Sequence, residues 1–183
     1  MLCGIDEAGR GCIAGDLVVA GCIFLQDAHI EGLNDSKKLT EKKRSDLYTQ
    51  IIDNTKYHIV TTSSKEIDEK GISLCMKTSI EEILSNLEAK NYIFDGNTNF
   101  GVKDIKTMIK ADAKILEVSA ASILAKVTHD TNIIKSAKIY PEYQFQKHKG
   151  YGTKLHIEMI QKYGYCDIHR KSYKIKALQQ TLF

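Results

Sequence analysis

The first 25 residues constrain the fold most strongly, because two apolar runs flank a glycine-rich loop. The runs at residues 2–6 and 17–25 are far too short to cross a bilayer as helices, and both are predicted to be strands. The second run is apolar almost throughout, which is typical of a buried strand. Two strands separated by one loop predict a hairpin-like start to a sheet.

The loop between these runs carries an unusual set of polar groups. Asp6 and Glu7 end the first run, and Gly9-Arg10-Gly11 follows almost directly. Carboxylates hold hard divalent cations such as Mg²⁺, glycines let a backbone approach a ligand closely, and arginine binds phosphate. The combination indicates phosphodiester chemistry, although a solvated Asp-Glu turn and a plain Gly-Arg-Gly loop fit the same residues.

Strands and helices alternate along the remainder of the chain. Helices are predicted at residues 40–53, 72–90, 117–139 and 153–163, and strands at residues 57–63, 92–95 and 105–109. Thr40 is a suitable N-cap for the first helix, and Gly164 a suitable end for the last. Hairpin-like strands followed by strand–helix alternation predict an α/β domain with a mixed sheet. Without any linker in its 183 residues, the chain is expected to form a single domain.

Composition narrows the class of protein. Hydrophobic residues make up 43% and charged residues 27% of the chain, as in ordinary globular proteins. The five cysteines are odd in number and scattered, without a CxxC pair, which argues against zinc and favours reduced thiols in a cytosol. We therefore expect a cytoplasmic protein without a membrane partner, and nothing demands more than a monomer.

Charge is unevenly distributed, although the net charge is only +3. Residues 138–176 are rich in lysine and arginine, whereas the rest of the chain is acidic overall. A basic C-terminal quarter beside an acidic body fits a polyanion held against a metal-binding centre. A solvated basic surface explains the same distribution.

Two further acids follow predicted strands. Asp95 ends the strand at residues 92–95, and Asp112 comes shortly after the strand at 105–109. If these strands neighbour the first one, the acids converge at one edge of the sheet, where α/β proteins bind ligands. Clustered carboxylates repel one another unless a cation neutralises them, and two Mg²⁺ ions roughly 3.5–4 Å apart would do so. A simple turn at Asp95-Gly96 and a helix cap at Asp112 are the alternatives.

With these residues in place, the chain resembles the ribonuclease HII family over most of its length. The resemblance runs through six blocks in order: Gly4-Ile5-Asp6-Glu7-Ala8-Gly9-Arg10-Gly11, Asp35-Ser36-Lys37-Lys38-Leu39, Phe94-Asp95-Gly96, Lys110-Ala111-Asp112 with Ser119-Ala120-Ala121-Ser122-Ile123-Leu124-Ala125-Lys126-Val127, Lys149-Gly150-Tyr151-Gly152-Thr153 with His156, and His169-Arg170-Lys171-Ser172. Six blocks in the family's order form a highly specific match.

The resemblance implies a ribonuclease H-like fold, with a mixed five-stranded sheet flanked by helices and a basic C-terminal helical region from about residue 138. It implies Mg²⁺- or Mn²⁺-dependent cleavage of RNA in RNA–DNA hybrids at a two-metal site. It also implies incision on the 5′ side of single ribonucleotides embedded in duplex DNA, as in ribonucleotide removal during replication and repair. The expected products carry 3′-hydroxyl and 5′-phosphate ends.

The same resemblance implies roles for individual residues. The metal-binding catalytic acids would be Asp6, Glu7, Asp95 and Asp112. Gly9, Arg10 and Gly11 would sense the ribose 2′-hydroxyl, which distinguishes RNA from DNA.

Other implied roles concern residues further along the chain. Tyr151 would stack against the deoxyribose after the ribonucleotide, and Lys37 and Lys149 would contact phosphates. Ser122 and Lys126, on the helix after Asp112, are weaker candidates for substrate contacts. Lys126 fits a helix surface better than a contact. His169-Arg170 fits a structural role better than a catalytic one.

Two positions depart from the family's pattern. Gly15-Asp16 stands where the family usually has Gly-Pro, which adds a negative charge near the substrate path or loosens the loop. His129 replaces the usual arginine before aspartate, which leaves one surface or phosphate contact in doubt.

The last five residues, Gln179-Gln180-Thr181-Leu182-Phe183, resemble short peptides that dock into the bacterial sliding clamp. An ordinary fraying terminus is the alternative.

Three rival functions stay open from the sequence. The sister family ribonuclease HIII usually carries an N-terminal extension, which this sequence lacks. A non-catalytic nucleic-acid-binding module would use the basic region alone, although four acids would weaken polyanion binding. A junction resolvase of similar fold would not need the Gly-Arg-Gly loop together with Tyr151.

Overall fold

The computed structural model describes residues 1–26, 28–33 and 39–179. Its strands are β1 (Leu2–Ala8), β2 (Leu17–Phe24), β3 (Thr55–Thr62), β4 (Asn91–Asp95) and β5 (Lys106–Met108). They form one sheet in the order β3-β2-β1-β4-β5. The pairs β1–β2 and β2–β3 are antiparallel, whereas β1–β4 and β4–β5 are parallel. The predicted mixed five-stranded sheet is therefore confirmed.

Seven α-helices are formed within the described residues. They are α1 (Glu41–Asn54), α2 (Ser64–Lys70), α3 (Ile72–Asn86), α4 (Leu116–Ile139), α5 (Phe145–His148), α6 (Lys154–Tyr163) and α7 (Lys176–Gln179). The predicted N-cap is confirmed, because the Thr40 side chain accepts a hydrogen bond from the Lys43 N–H at 3.2 Å.

Helix α3 ends at Asn86, so the prediction that it runs to residue 90 was wrong. The Tyr92 hydroxyl donates to the Leu87 carbonyl at 2.8 Å and accepts from the Ala89 N–H at 3.0 Å. A side chain thus pairs with backbone groups that a longer helix would have used, and the chain turns into β4.

Helix α2 was missed because seven residues are too short to show apolar periodicity. Its signal was a capping box. The Ser63 hydroxyl accepts from the Glu66 N–H at 3.2 Å, and the Glu66 carboxylate accepts from the Ser63 N–H at 3.3 Å.

Helices cover both faces of the sheet. Alternate residues of β2 divide between the faces, with Leu17 and Val19 in one core and Val18 and Ala20 in the other. The first core packs against α3, and the second packs against α1 and α4. Because helices bury both faces of β2, this strand is apolar throughout.

Helix α4 packs very closely on β1. A Cβ atom at Gly4 would lie 2.2 Å from the backbone carbon of Glu117, so only glycine allows this approach. The small residues Ala120 and Ala121 of α4 are also fully buried. The first turn of α4 is thereby held against the strand that carries Asp6.

The C-terminal segment packs against the end of α4 and the loop after β1. A third core joins Ile13 and Ala14 of that loop to Ile133, Phe145 and Ile160. Within the described residues, no helix is long and apolar enough to span a membrane.

Candidate active site

Strand register brings the predicted acids together. Ile5 of β1 pairs with Phe94 of β4, so the next residues, Asp6 and Asp95, lie side by side. Asp95 accepts a hydrogen bond from the Ala111 N–H at 2.8 Å, which anchors the 3-10 turn Ala111–Ala113 that carries Asp112. Carboxylate oxygens of Asp6, Asp95 and Asp112 lie within 4.8 Å of one another.

The cluster is electrostatically costly without a cation. Asp6 and Asp112 are buried, and Asp95 is half-buried. Burial raises the pKa of Asp6 well above its usual range, and the neighbouring Glu7 and Asp95 carboxylates add to the shift, while a hydrogen bond with Ser122 opposes it. An all-oxygen donor set of this kind fits Mg²⁺ or Mn²⁺.

Glu7 lies in the same cleft but outside this three-acid cluster. Its carboxylate accepts a hydrogen bond from Arg10 Nη1 at 3.1 Å. Burial raises the pKa of Glu7, and the Arg10 charge opposes that shift. The Arg10 guanidinium also lies 5.8 Å from the ring centroid of Phe100. The fourth acid is therefore tied to the arginine of the glycine-rich loop.

Three of the four acids line a cleft of about 310 Å³. Its full lining consists of Asp6, Glu7, Ala8, Asp95, Ser122, Lys126 and Tyr151. Lys126 Nζ lies 5.5 Å from the ring centroid of Tyr151 and donates to Asp130 at 2.8 Å. Lys126 lines the cleft with its side chain 21% exposed, and its role as a helix-surface residue or a substrate contact stays a prediction.

The two glycines of the Gly9-Arg10-Gly11 loop occupy different environments. Gly9 has a φ of +84°, and a Cβ there would lie 2.5 Å from both the Asp16 carbonyl oxygen and His129 Cδ2. A Cβ at Gly11 would meet no atom within 4 Å. Within the described part of the chain, the Gly11 N–H has no hydrogen-bond acceptor. Gly11 therefore offers an open approach and an available donor.

Tyr151 stands beside this loop. It forms an isolated antiparallel bridge with Cys12, and its side chain is 40% exposed. Burial of its hydroxyl, with Cys12 close by, raises the pKa of Tyr151 to about 12. The tyrosine thus presents a neutral, half-exposed ring to the cleft.

His129 lies in the interior, which agrees with the doubt about a surface or phosphate contact at this position. It is 1% exposed, with Nε2 3.6 Å from Cys12 Sγ and Nδ1 3.0 Å from Asp130 Oδ1. The second departure, Asp16, is half-buried and accepts a hydrogen bond from Asn132 at 3.3 Å.

The remaining predicted contacts lie apart from the cleft or outside the described residues. Lys149 is half-buried, and its carbonyl accepts from Cys12 Sγ at 3.5 Å, but it does not line the cleft. Lys37 and the rest of its block except Leu39 fall among residues 34–38, outside the described part of the chain.

Together, the mixed sheet and the acids on its central strands define a metal-dependent nuclease of the ribonuclease H-like class. The family model described as Ribonuclease HII matches residues 3–176. The Ribonuclease HII of Sulfurovum sp. (strain NBC37-1) is 57% identical over 183 residues, covering 100% of this chain and 96% of the relative. That of Aliarcobacter butzleri is 58% identical and covers 98% and 94% of the two chains. The chain belongs to the ribonuclease HII family and is a type 2 ribonuclease H, a hydrolase.

Solved structures agree with this assignment. The RNase HII in a complex with PCNA from Archaeoglobus fulgidus has a TM-score of 0.83 at 27% identity, covering 96% of each chain. The ribonuclease H2 of Pyrococcus horikoshii has a TM-score of 0.77 at 29% identity, covering 94% of this chain and 93% of the other. A Bst-RNase HIII structure shares the fold at 16% identity, with a TM-score of 0.68, and only 62% of that chain is covered. The match thus favours ribonuclease HII over its sister family.

Proposed function

We propose that this chain cuts the RNA strand of RNA–DNA hybrids internally, leaving 3′-hydroxyl and 5′-phosphate ends. Asp6, Glu7, Asp95 and Asp112 are the proposed metal-binding catalytic acids. The observation that carries the proposal is the approach of three of their carboxylates to within 4.8 Å. A pair of divalent cations held there would activate water and stabilise the leaving 3′ oxygen.

The surrounding residues support these acids. Ser122 forms a hydrogen bond with Asp6 and lines the cleft. Arg10 holds Glu7 in a defined position at 3.1 Å. Lys126 adds a positive charge to the cleft wall, where it would oppose the repulsion between the acids and an approaching phosphate.

We further propose that the enzyme incises duplex DNA on the 5′ side of a single embedded ribonucleotide. The Gly11 N–H, without a partner among the described residues, and the backbone at Gly9 and Arg10 would bind the 2′-hydroxyl. The Tyr151 ring would pack on the next deoxyribose. The bridge between Cys12 and Tyr151 supports this proposal, because it holds the two recognition elements side by side. Lys37 and Lys149 are proposed phosphate contacts outside the cleft itself.

Hydrolysis of a continuous RNA–DNA hybrid tests the chemistry. We expect cleavage with Mg²⁺ or Mn²⁺ and none with a chelator. Asp95→Asn should lower the rate by more than about 100-fold, since losing even an outer partner of a metal ligand costs 10–100-fold. The matched control is Asp53→Asn, which removes an exposed carboxylate on α1 and should leave the rate unchanged. Equal rates in the two variants would contradict the assignment of the acids.

We also propose that Gln179 to Phe183 recruits a sliding clamp and that the enzyme acts as a single-domain monomer. One observation favours a clamp partner: the Archaeoglobus relative was solved in a complex with PCNA. The proposed peptide itself reaches beyond the described residues. Clamp binding with and without Leu182 and Phe183 tests the first point, and equal affinity would contradict it. Light scattering tests the second.

A further inference from the structure

Arg170 is a buried cation whose partners are backbone carbonyls. Its side chain is 0% exposed, and no carboxylate within the described residues lies within ion-pair distance. Nε and Nη2 donate to the Gly15 carbonyl at 3.0 and 2.9 Å, and Nη1 donates to the Arg10 carbonyl at 3.1 Å. The guanidinium therefore binds both ends of the loop that carries Gly11.

Tyr173 completes this contact. Its hydroxyl donates to the Arg10 carbonyl at 3.0 Å and accepts from Arg170 Nη1 at 3.1 Å, and its ring lies 5.3 Å from the guanidinium. The Arg10 carbonyl thus accepts two hydrogen bonds from the C-terminal segment, an arrangement stronger than one neutral bond.

The segment that supplies these groups is itself fixed. The Arg170 N–H donates to the Ile13 carbonyl at 2.9 Å, and the Gly15 N–H donates to the Ile168 carbonyl at 2.8 Å. On the other side, the Asp68 carboxylate of α2 accepts from the N–H groups of Lys171 and Ser172 at 2.8 and 3.0 Å. The Arg170 and Tyr173 side chains therefore extend from a well-anchored backbone.

The geometry of the peptide between Arg10 and Gly11 links the buried contact at the Arg10 carbonyl to the direction of the Gly11 N–H. In a planar trans peptide, the C=O and the following N–H point in opposite directions, and no cis peptide occurs in the described chain. The Arg10 carbonyl points inward to Arg170, so the Gly11 N–H points away from the buried cation. A hydrogen-bonded carbonyl also polarises its own peptide, which strengthens that N–H as a donor.

We propose that Arg170 and Tyr173 are positioning residues for ribonucleotide recognition, acting through the Arg10–Gly11 peptide. The inference rests on the proposed function, since it assumes that the Gly11 N–H binds the 2′-hydroxyl. Neither side chain lines the cleft, so both act on substrate through the loop.

The test measures selectivity rather than rate alone. For a duplex with one ribonucleotide, KM is measured. The all-DNA duplex of the same sequence is added as a competitive inhibitor under the same conditions, and its Ki is measured. Tyr173→Phe removes one hydrogen bond to the Arg10 carbonyl and should raise KM by about 2- to 10-fold while leaving Ki unchanged.

The matched control is Tyr92→Phe, which removes a hydroxyl that also makes two hydrogen bonds, here to the backbone of Leu87 and Ala89. It should change neither constant, although it lowers Tm by a similar amount. Arg170→Lys keeps the charge but cannot span the carbonyls of Arg10 and Gly15. If its Tm shows that it folds, its KM should rise at least as much as that of Tyr173→Phe.

Two results would overturn the inference in distinguishable ways. If Tyr173→Phe shifts KM and Ki together, or neither of them, Tyr173 and Arg170 do not position the recognition peptide, while the proposed function stands. If the wild type fails to cleave the ribonucleotide duplex, or binds the all-DNA duplex equally well, the proposed function fails and the inference fails with it.

Discussion

At the scale of single residues, Gly9 lies in a tightly packed half of the loop and Gly11 in an open half. Gly9 adopts a left-handed conformation and has no space for a side chain, because Asp16 and His129 are in contact with it. Gly11 has an ordinary conformation, an exposed position and free space around it. The same residue type is thus required for two different reasons.

Alanine substitutions at Gly9 and Gly11 should have different effects, the first on stability and the second on substrate binding. Gly9→Ala should destabilise the fold by about 1–3 kcal/mol, because the new methyl group overlaps its neighbours. Gly11→Ala should leave Tm unchanged or slightly higher, yet raise KM for a ribonucleotide duplex, because the methyl group meets the substrate. Thermal unfolding and steady-state kinetics check both. Normal KM in Gly11→Ala would contradict the role of Gly11 in binding.

Tyr151 should act through its ring and not through ionisation. With a pKa of about 12, its hydroxyl is neutral across the working range. Tyr151→Phe should therefore keep kcat/KM for the ribonucleotide duplex near the wild-type value. Tyr151→Ala should lower it by about tenfold, which corresponds to about 1.4 kcal/mol. Equal losses of kcat/KM in the two variants would show that the hydroxyl, and not the ring, makes the important contact.

At the scale of secondary-structure elements, the sequence predicts the strands and long helices well because their apolar periodicity is strong. The ends of elements depend on tertiary contacts and are less predictable. Strand β1 runs to Ala8, two residues beyond the predicted end, because Glu7 and Ala8 pair with Val19 and Val18 of β2. The pairing of Ile5 with Phe94, which brings Asp6 beside Asp95, depends on register between segments far apart in sequence.

The supporting contacts of the site were less accessible to sequence reasoning. Arg170 lies in a basic segment, and nothing local indicates that it is buried against carbonyls 155 and 160 residues away. The sequence pattern around His129 predicts the helix in which this residue lies, but it does not predict which neighbours bury its side chain. The acids could be singled out because their chemistry is explicit in the residue type, whereas the residues that position them act through three-dimensional packing.

The close packing of α4 on β1 at Gly4 predicts the effect of a larger residue at that position. Gly4→Ala places a methyl group 2.2 Å from the backbone of Glu117, so α4 must move away from the strand. We expect a loss of about 1–3 kcal/mol in stability and a fall in activity, because Asp112 precedes this helix. Gly152→Ala is the control, since its Cβ would meet only ordinary contacts at 3.5 Å or more. Unchanged stability in Gly4→Ala would contradict the close packing.

At the scale of the whole molecule, two buried histidines connect the parts of the C-terminal region through hydrogen bonds. His156 Nδ1 donates to the Tyr151 carbonyl at 3.0 Å, which leaves Nε2 to accept from His169 Nε2 at 3.0 Å. His169 Nδ1 accepts from the Cys166 N–H at 2.9 Å. A second proton on either ring would disrupt this chain of bonds, so both imidazoles are neutral in the fold.

Stability should therefore fall in acid. Burial lowers the pKa of His156 and His169 from 6.5 to about 4, and it also lowers the pKa of His148. Because the unfolded chain binds these protons more tightly, the stabilisation is present above pH 6.5 and is lost as pH falls through about 4. Asp6 and Glu7 act in the opposite sense, since burial raises their pKa values and their protonation favours the fold.

In a variant without those two acids, the opposing effect that remains within the described residues comes from Asp16, whose pKa burial also raises. In Asp6→Asn/Glu7→Gln, Tm should fall by roughly 5 °C between pH 7 and 4.5, and more steeply than in the wild type. Calorimetry across this range measures it. A flat or rising Tm in the variant would show that the histidines are not held neutral.

Incision of an end-labelled DNA duplex with one ribonucleotide tests the central claim most directly, because it requires the acid cluster and the recognition loop together. With Mg²⁺ or Mn²⁺ we expect a single cut on the 5′ side of the ribonucleotide, leaving a 3′-hydroxyl end. The same sequence in all-DNA form, or the addition of a chelator, should give no cut. Cleavage confined to continuous RNA–DNA hybrids would contradict recognition by Gly11 and Tyr151, and binding without any cleavage would contradict the catalytic role of the acids.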